Sequence, residues 1–215
     1  MIPPAWWSPS TAQVAIEFVA TLAFALSGVL AAARARLDAV GVCVVAGVAA
    51  FGGGTVRDLL LDRRPFFWVE HSHQVWAVFL VCLAAMAFLR ARHFRPTEQA
   101  TQWPDALGLG LFTGSGTQIA QAAGMPPLLA VLMGVISAIF GGVLRDIVCN
   151  RVPAAFSDHR PYAICSFAGG WTMVGMHALG APAWAELASG AAVATALRML
   201  ALWGDWRLPV WKTGA

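Results

Sequence analysis

The sequence predicts an all-α integral membrane protein of seven transmembrane helices, two inverted three-helix repeats followed by a seventh helix. Three observations lead there. Of 215 residues, 59% are hydrophobic and only 12% charged, with a mean hydropathy of +0.67. A water-soluble domain carries roughly 25% charged residues, and so short a chain has no interior able to hide this much apolar surface. Seven apolar stretches reach or approach the roughly 20 residues that a helix needs to cross a bilayer. The third observation is a motif that occurs twice.

Residues 51–65 read FGGGTVRDLLLDRRP and residues 139–153 read IFGGVLRDIVCNRVP. An offset of 88 residues places Gly53 on Gly141, Gly54 on Gly142, Arg57 on Arg145 and Asp58 on Asp146. The same offset, without a gap, places Phe24 on Phe112, Ser27 on Ser115, Gly28 on Gly116 and Phe79 on Phe167. Agreement spread over so long a stretch is the mark of an internal duplication.

In chain order the apolar stretches are about 12–33, 39–61 and 73–91, forming repeat one (about 12–91). Stretches 104–122, 127–149 and 161–179 form repeat two (about 104–179), and 183–204 is a seventh helix without a counterpart. The whole chain, 1–215, reads as a single membrane domain. Three crossings per repeat is an odd number, so the second repeat enters the membrane from the opposite face, as in many transport proteins. Tryptophans at or near the ends (Trp6, Trp7, Trp68, Trp103, Trp184, Trp203 and Trp206) fit aromatic belts at headgroup depth. No Lys or Arg precedes the first apolar run, so a cleavable signal peptide is not expected.

Orientation follows from the basic residues between the stretches. Arg34, Arg36, Arg90, Arg92, Arg95, Arg151, Arg160, Arg207 and Lys212 fall on one side, and only Arg63 and Arg64 on the other. The positive-inside rule then puts the N-terminus outside and the C-terminus in the cytoplasm. This scatter of charge, with a net of +3, lacks the concentrated stripe of a nucleic-acid binder.

The twin motif lies in corresponding stretches of the two repeats. Gly52, Gly53 and Gly54, with Gly141 and Gly142, either break their helices beside a pathway or let neighbouring helices pack closely. Arg57, Asp58, Arg145 and Asp146 follow within the apolar run, where each charge costs roughly 2.5–3.5 kcal/mol on insertion scales. They therefore need partners. The two-fold relation suggests crossed pairs, Arg57 with Asp146 and Arg145 with Asp58. Ser27 and Ser115, each before a glycine, suit close packing or a pore-facing hydroxyl. Arg198, in the last stretch, reads as a packing or snorkelling residue rather than a pore element, with pairing to an acid of the core the alternative.

Other signals are weaker. GLGLFTGSG at 108–116 lies inside a spanning stretch with no strand before it, so Gly110 and Gly114 fit helix packing better than a dinucleotide loop. His71 and His73 sit near a helix end without further metal ligands at matching depth, and Cys43, Cys82, Cys149 and Cys165 show no paired spacing. No nucleophile–base or paired-carboxylate arrangement stands out. No catalytic residue, metal or cofactor is expected, and the protein does not read as an enzyme.

The seven stretches, the inverted triplets and the GGGxxRD/GGxxRD pair make the chain resemble the trimeric intracellular cation (TRIC) channel family, in its prokaryotic branch, over about residues 12–204. The resemblance implies a homotrimer in a prokaryotic plasma membrane, each protomer with its own pore for monovalent cations, mainly potassium. Kinked second and fifth helices would line it, with the kinks at Gly52–Gly54 and Gly141–Gly142 and with Arg57 and Arg145 beside the path. Animal members carry a basic Lys-Glu motif near the first kink, associated with phosphoinositide; here GGGTVRDLL supplies only Arg57, so phosphoinositide binding is not expected, although an anionic membrane lipid near Arg57 is compatible. Chains of this kind have also been grouped as glycine transporters. A secondary transporter of a small neutral solute is the alternative, and a non-conducting scaffold a third reading.

Overall fold

The computed structural model describes residues 11–92 and 97–209, the side chains of 89–92 excepted. Trp6, Trp7, Arg95 and Lys212, and the side chains of Arg90 and Arg92, lie outside the described residues. The described chain is helical: α1 (Thr11–Arg34), α2 (Ala39–Leu60), α3 (Phe67–Glu70), α4 (His73–Arg92), α5 (Glu98–Ala122), α6 (Pro127–Val148), α7 (Ala154–Ser157), α8 (Ala163–Ala178) and α9 (Ala183–Trp203). The seven longer helices coincide with the seven apolar stretches. Of these, α1, α2, α6 and α9 are long and apolar enough to cross a membrane. This is an all-helical integral membrane protein.

Local chemistry sets the ends. The Asp38 carboxylate accepts from the Gly41 N–H at the start of α2, and the Thr97 hydroxyl from the Ala100 N–H at the start of α5. Each satisfies a donor that the first turn leaves free. Both motif helices stop at equivalent residues. Asp62 after α2 and Asn150 after α6 take positive φ (49° and 54°), a conformation that short polar side chains tolerate. The next N–H then turns back, from Arg63 to the Asp58 carbonyl and from Arg151 to that of Asp146.

The glycines do not break these helices. α2 runs unbroken through Gly52–Gly54 and α6 through Gly141–Gly142, so of the two roles open to these glycines the break is not seen and close packing is. What the glycines provide is approach. A Cβ on Gly53 would collide with the Ser137 carbonyl oxygen, and one on Gly141 with that of Ala49. Ser137 is the repeat equivalent of Ala49, so the two contacts are one contact made twice. The intact backbone ladder is what the bilayer requires, and small residues bring α2 and α6 into backbone contact as in other membrane helix pairs.

Equivalent helices meet running antiparallel. Ser27, late in α1, donates to the Thr101 carbonyl early in α5, while Glu17, early in α1, meets Ser115 late in α5. α1, α2, α5 and α6 form the centre; α4 flanks α1 and α2, and α8 flanks α5 and α6. α9 breaks the balance by lying on α5 and α8. Gly110 and Gly114 of α5 and Gly169 of α8 give it its seat, against Ala191, Leu187 and Gly190. Their repeat-one equivalents are Leu22, Leu26 and Val81, which line an open apolar groove of about 640 Å³.

Candidate functional site: two buried arginine clusters

Each motif arginine lies buried at the end of a central helix, among acidic partners. Arg57 is fully buried. Its Nε and Nη2 lie 2.9 and 2.8 Å from Asp58 Oδ1, and its Nη1 lies 2.7 Å from Glu17 Oε1. Ser115 crosses from the other repeat, its hydroxyl donating to the same Glu17 oxygen at 2.7 Å with Arg57 Nη1 3.4 Å away. Arg145 repeats the pattern. Nε donates to Asp146 Oδ1 at 2.8 Å, and Nη1 donates to Asp105 Oδ1 and to the Ser27 hydroxyl. Asp105 stands where Glu17 stands, at the same offset of 88.

The expected crossed pairing is therefore corrected. Arg57 pairs with its own neighbour Asp58 and not with Asp146, and Arg145 with Asp146 and not with Asp58. Because α2 and α6 touch antiparallel at their glycines, their C-terminal ends point to opposite ends of the bundle. The crossed partners are out of reach. Adjacent side chains on a helix diverge, but an arginine near the C-terminus of its helix is long enough to fold back onto the next carboxylate. What crosses between the repeats is the serine pair, whose hydroxyls belong to the ion-pair networks as well as to the packed seam.

The carboxylates are held in turn. Asp58 Oδ2 accepts from the Phe67 N–H at 2.8 Å, and Asp146 Oδ2 from the Ala154 N–H at 2.9 Å, so each motif aspartate caps the short helix that follows. Asp105 gains the Tyr162 hydroxyl at 2.7 Å. Arg198 of α9 is buried over the Tyr162 ring at 4.7 Å and lies 3.3 Å from Asp158, so it packs and has an acidic partner as well. Glu17, Asp105 and Tyr162 were not singled out in the sequence. The available signal was the offset, which puts an acid at the same place in both repeats; their position just inside the stretch ends disguised it.

The surroundings differ. Over Arg57 and Asp58 lie Phe67, its ring centre 5.4 Å from the guanidinium carbon, and buried Arg63, 3.4 Å from Asp58 and 3.3 Å from Glu70. Arg145 and Asp146 instead form the floor of a polar cavity of about 410 Å³ whose walls include Arg34, Glu98, Arg151 and Arg160. Just outside the bilayer segments, Asp205 accepts from Arg160 at 2.6 Å and pairs with Arg207 at 2.9 Å, which holds its carboxyl below the usual range.

The family profile described as Glycine transporter matches the chain twice, over residues 14–90 and 102–178, two segments again displaced by 88. The UPF0126 inner membrane protein YadS of Escherichia coli K12 is 31% identical over 194 residues, covering 90% of this chain and 93% of its own. A UPF0126 membrane protein of Vibrio cholerae is 36% identical over 159 residues, covering 72% of this chain and 64% of that protein. The crystal structure of the TRIC trimeric intracellular cation channel orthologue from Rhodobacter sphaeroides is 34% identical, covers 91% of this chain and all of its own, and superposes with a TM-score of 0.82. This chain belongs to the TRIC channel family. Both profile matches span one whole motif together with the acid that meets its arginine, Glu17 or Asp105.

Proposed function

We propose that the protein is a monovalent cation channel, potassium its main permeant ion, with a path through each protomer of a homotrimer in the bacterial inner membrane. The observation that carries this reading is the pair of arginine clusters. A cation path beside two arginines would be repulsive if they stood alone. Here each guanidinium lies between two carboxylates, Glu17 and Asp58 or Asp105 and Asp146, so each triad carries a formal charge of −1. Ionisable residues within the membrane are the first candidates for a functional site. The likeness to solved TRIC channels supports the same reading, as does the polar cavity that ends on one triad.

In this reading all seven long helices cross the bilayer as two inverted triplets and a seventh helix, in one membrane domain. The positive-inside count puts the N-terminus outside, so the cavity over Arg145 faces the cytoplasm and the Arg57 cluster lies toward the outer face. Arg57, Asp58, Arg145, Asp146, Ser27 and Ser115 border the path, and Gly52–Gly54 with Gly141–Gly142 hold its helices together. The trimer rests on the relatives described as trimeric. The groove at Leu22, Leu26 and Val81 is the natural surface for a neighbouring copy, because its repeat equivalent is already covered by a helix. The protein acts without a cofactor and catalyses no reaction; lipids are its surroundings.

The description of the family profile favours a second reading, transport of glycine. Purified protein in potassium-loaded liposomes separates the two. Potassium efflux that does not saturate with concentration, with no uptake of labelled glycine, supports the channel. Saturable glycine uptake without potassium leak overturns it.

A further inference from the structure

Between the two clusters lies a single pair of stacked rings. On α1 the order is Glu17, Phe24, Ser27; on α5 it is Asp105, Phe112, Ser115. Glu17 and Ser115 belong to the Arg57 cluster, Ser27 and Asp105 to the Arg145 cluster. The clusters are therefore separated by ten residues of helix, about 15 Å at the α-helical rise. Phe24 and Phe112 occupy the interval on both helices. They are repeat equivalents, so they meet on the pseudo-two-fold axis itself, stacked with centroids 5.7 Å apart and planes 27° apart, 0% and 1% exposed. Leu109, Ala138 and Ile139 pack around them in the same apolar cluster. An ion passing from one triad to the other would leave the carboxylates behind and meet this buried aromatic contact. Apolar constrictions of this kind gate by excluding water.

The rings are not held symmetrically. Phe67 sets its edge on Phe112 at 6.2 Å and 79°, whereas the equivalent position in repeat two is Ala155, which brings no ring. Phe67 is in turn fixed by the Arg57 cluster: its N–H is bound to Asp58, its ring lies by the Arg57 guanidinium, and it fills the space that a side chain on Gly54 would need.

Building on the channel reading, we infer that Phe24 and Phe112 form the constriction that closes the path, and that Phe67 latches it to the Arg57–Asp58 pair. Opening requires the two rings to part. Release of Phe67, by movement of α3 or loss of the Arg57–Asp58 contact, frees Phe112 to turn away from the axis. At the Arg145 cluster the space over Gly142 is filled instead by Tyr162, bonded to Asp105, so the two ends hold the constriction through different rings and Phe67 is the one set edge-on against Phe112.

The test is single-channel recording in planar bilayers of wild type, Phe112→Ala, Phe24→Ala and Phe67→Ala, each shown by size exclusion and thermal unfolding to be folded. Phe112→Leu and Phe24→Leu keep an apolar side chain and protect the fold where alanine does not. The expected result is an open probability at least tenfold above wild type for the two axial alanine variants, a smaller rise for the leucine variants, and a several-fold rise for Phe67→Ala with unit conductance unchanged. Folded variants that conduct as wild type does, with unchanged open probability, overturn the constriction and leave the channel reading standing. Silence of wild type and of every folded axial variant overturns both, since removing the constriction opens the path whatever the native stimulus.

Discussion

The two repeats build the same cluster and then treat it in opposite ways. In repeat one the Arg57–Asp58 pair is sealed: both residues are fully buried, Arg63 closes over Asp58, and Phe67 lies beside the guanidinium. In repeat two the equivalent arginine, Arg151, points into a cavity, Ala155 stands in place of Phe67, and the Asp146 side chain keeps 13% of its surface exposed. Duplication thus supplied the charges, and the loop that follows each motif decides whether water reaches them. A buried ion pair is expensive to break because the surviving partner is left without solvent. A pair at the floor of a cavity can be rescued by water. Losing one partner should therefore cost more in the sealed cluster than in the open one.

The largest expected effect is one in which the repeats should not differ. Gly53→Val and Gly141→Val each drive a side chain into the facing backbone, Ser137 in one case and Ala49 in the other. Overpacking against groups that can yield costs roughly 1–3 kcal/mol, and a backbone carbonyl yields less. Both variants are expected to lose the folded species in size exclusion from detergent. A folded Gly141→Val beside an unfolded Gly53→Val would break the symmetry assigned to the α2–α6 contact.

Removing one acid from each cluster separates sealed from open. Glu17→Gln leaves the buried Arg57 with Asp58 alone and no water to replace the lost carboxylate, and is expected to destabilise the protein by about 1–3 kcal/mol. Asp105→Asn leaves Arg145 with Asp146 and the cavity water, and its loss should be clearly smaller. Thermal unfolding of the two variants under identical detergent conditions gives the comparison; equal losses would contradict it. The motif's trailing arginines sharpen the point at lower cost. Arg63→Ala opens the cover of Asp58 and should lower the melting temperature, whereas Arg151→Ala at an exposed position should stay within about 0.5 kcal/mol of wild type.

The smallest effect is a pH dependence at the cavity rim. Hydrogen bonds from Arg160 and Arg207 hold the Asp205 carboxyl below its ordinary value. A carboxylate depressed in the folded state adds stability that is present above its unfolded pKa and is lost as pH falls through the folded one. The clasp between the α7–α8 connection and the segment after α9 should therefore loosen only on acidification below the usual carboxylate range. Trp206 fluorescence followed from neutral pH downward is expected to show that transition, and Asp205→Asn to lack it.

Much of this was legible in the chain because duplication writes structure into spacing. The offset of 88 residues, the apolar stretches and the Arg-Asp dipeptides within them were all visible without coordinates. Two features were not, and for different reasons. Gly52–Gly54 looked like a break because glycine weakens an isolated helix by about 1 kcal/mol; here the contact with α6 and the demand for a satisfied backbone in lipid override propensity. The partners of Arg57 and Arg145 were misassigned because two-fold symmetry alone does not say at which end of the bundle a residue lies. Antiparallel contact of α1 with α5 brings Glu17, Asp58 and Ser115 to one end, and Asp105, Asp146 and Ser27 to the other. Phe24 and Phe112 were evidence of duplication in the sequence, but only the fold brings them face to face.

The measurement that tests the account most directly is the reversal potential of purified wild-type protein in planar bilayers under a potassium chloride gradient. The account predicts discrete current steps that reverse near the potassium equilibrium potential, as expected for a cation path bordered by triads of net negative charge. Steps reversing near the chloride potential would contradict it, because the arginines and not their carboxylates would then govern the path.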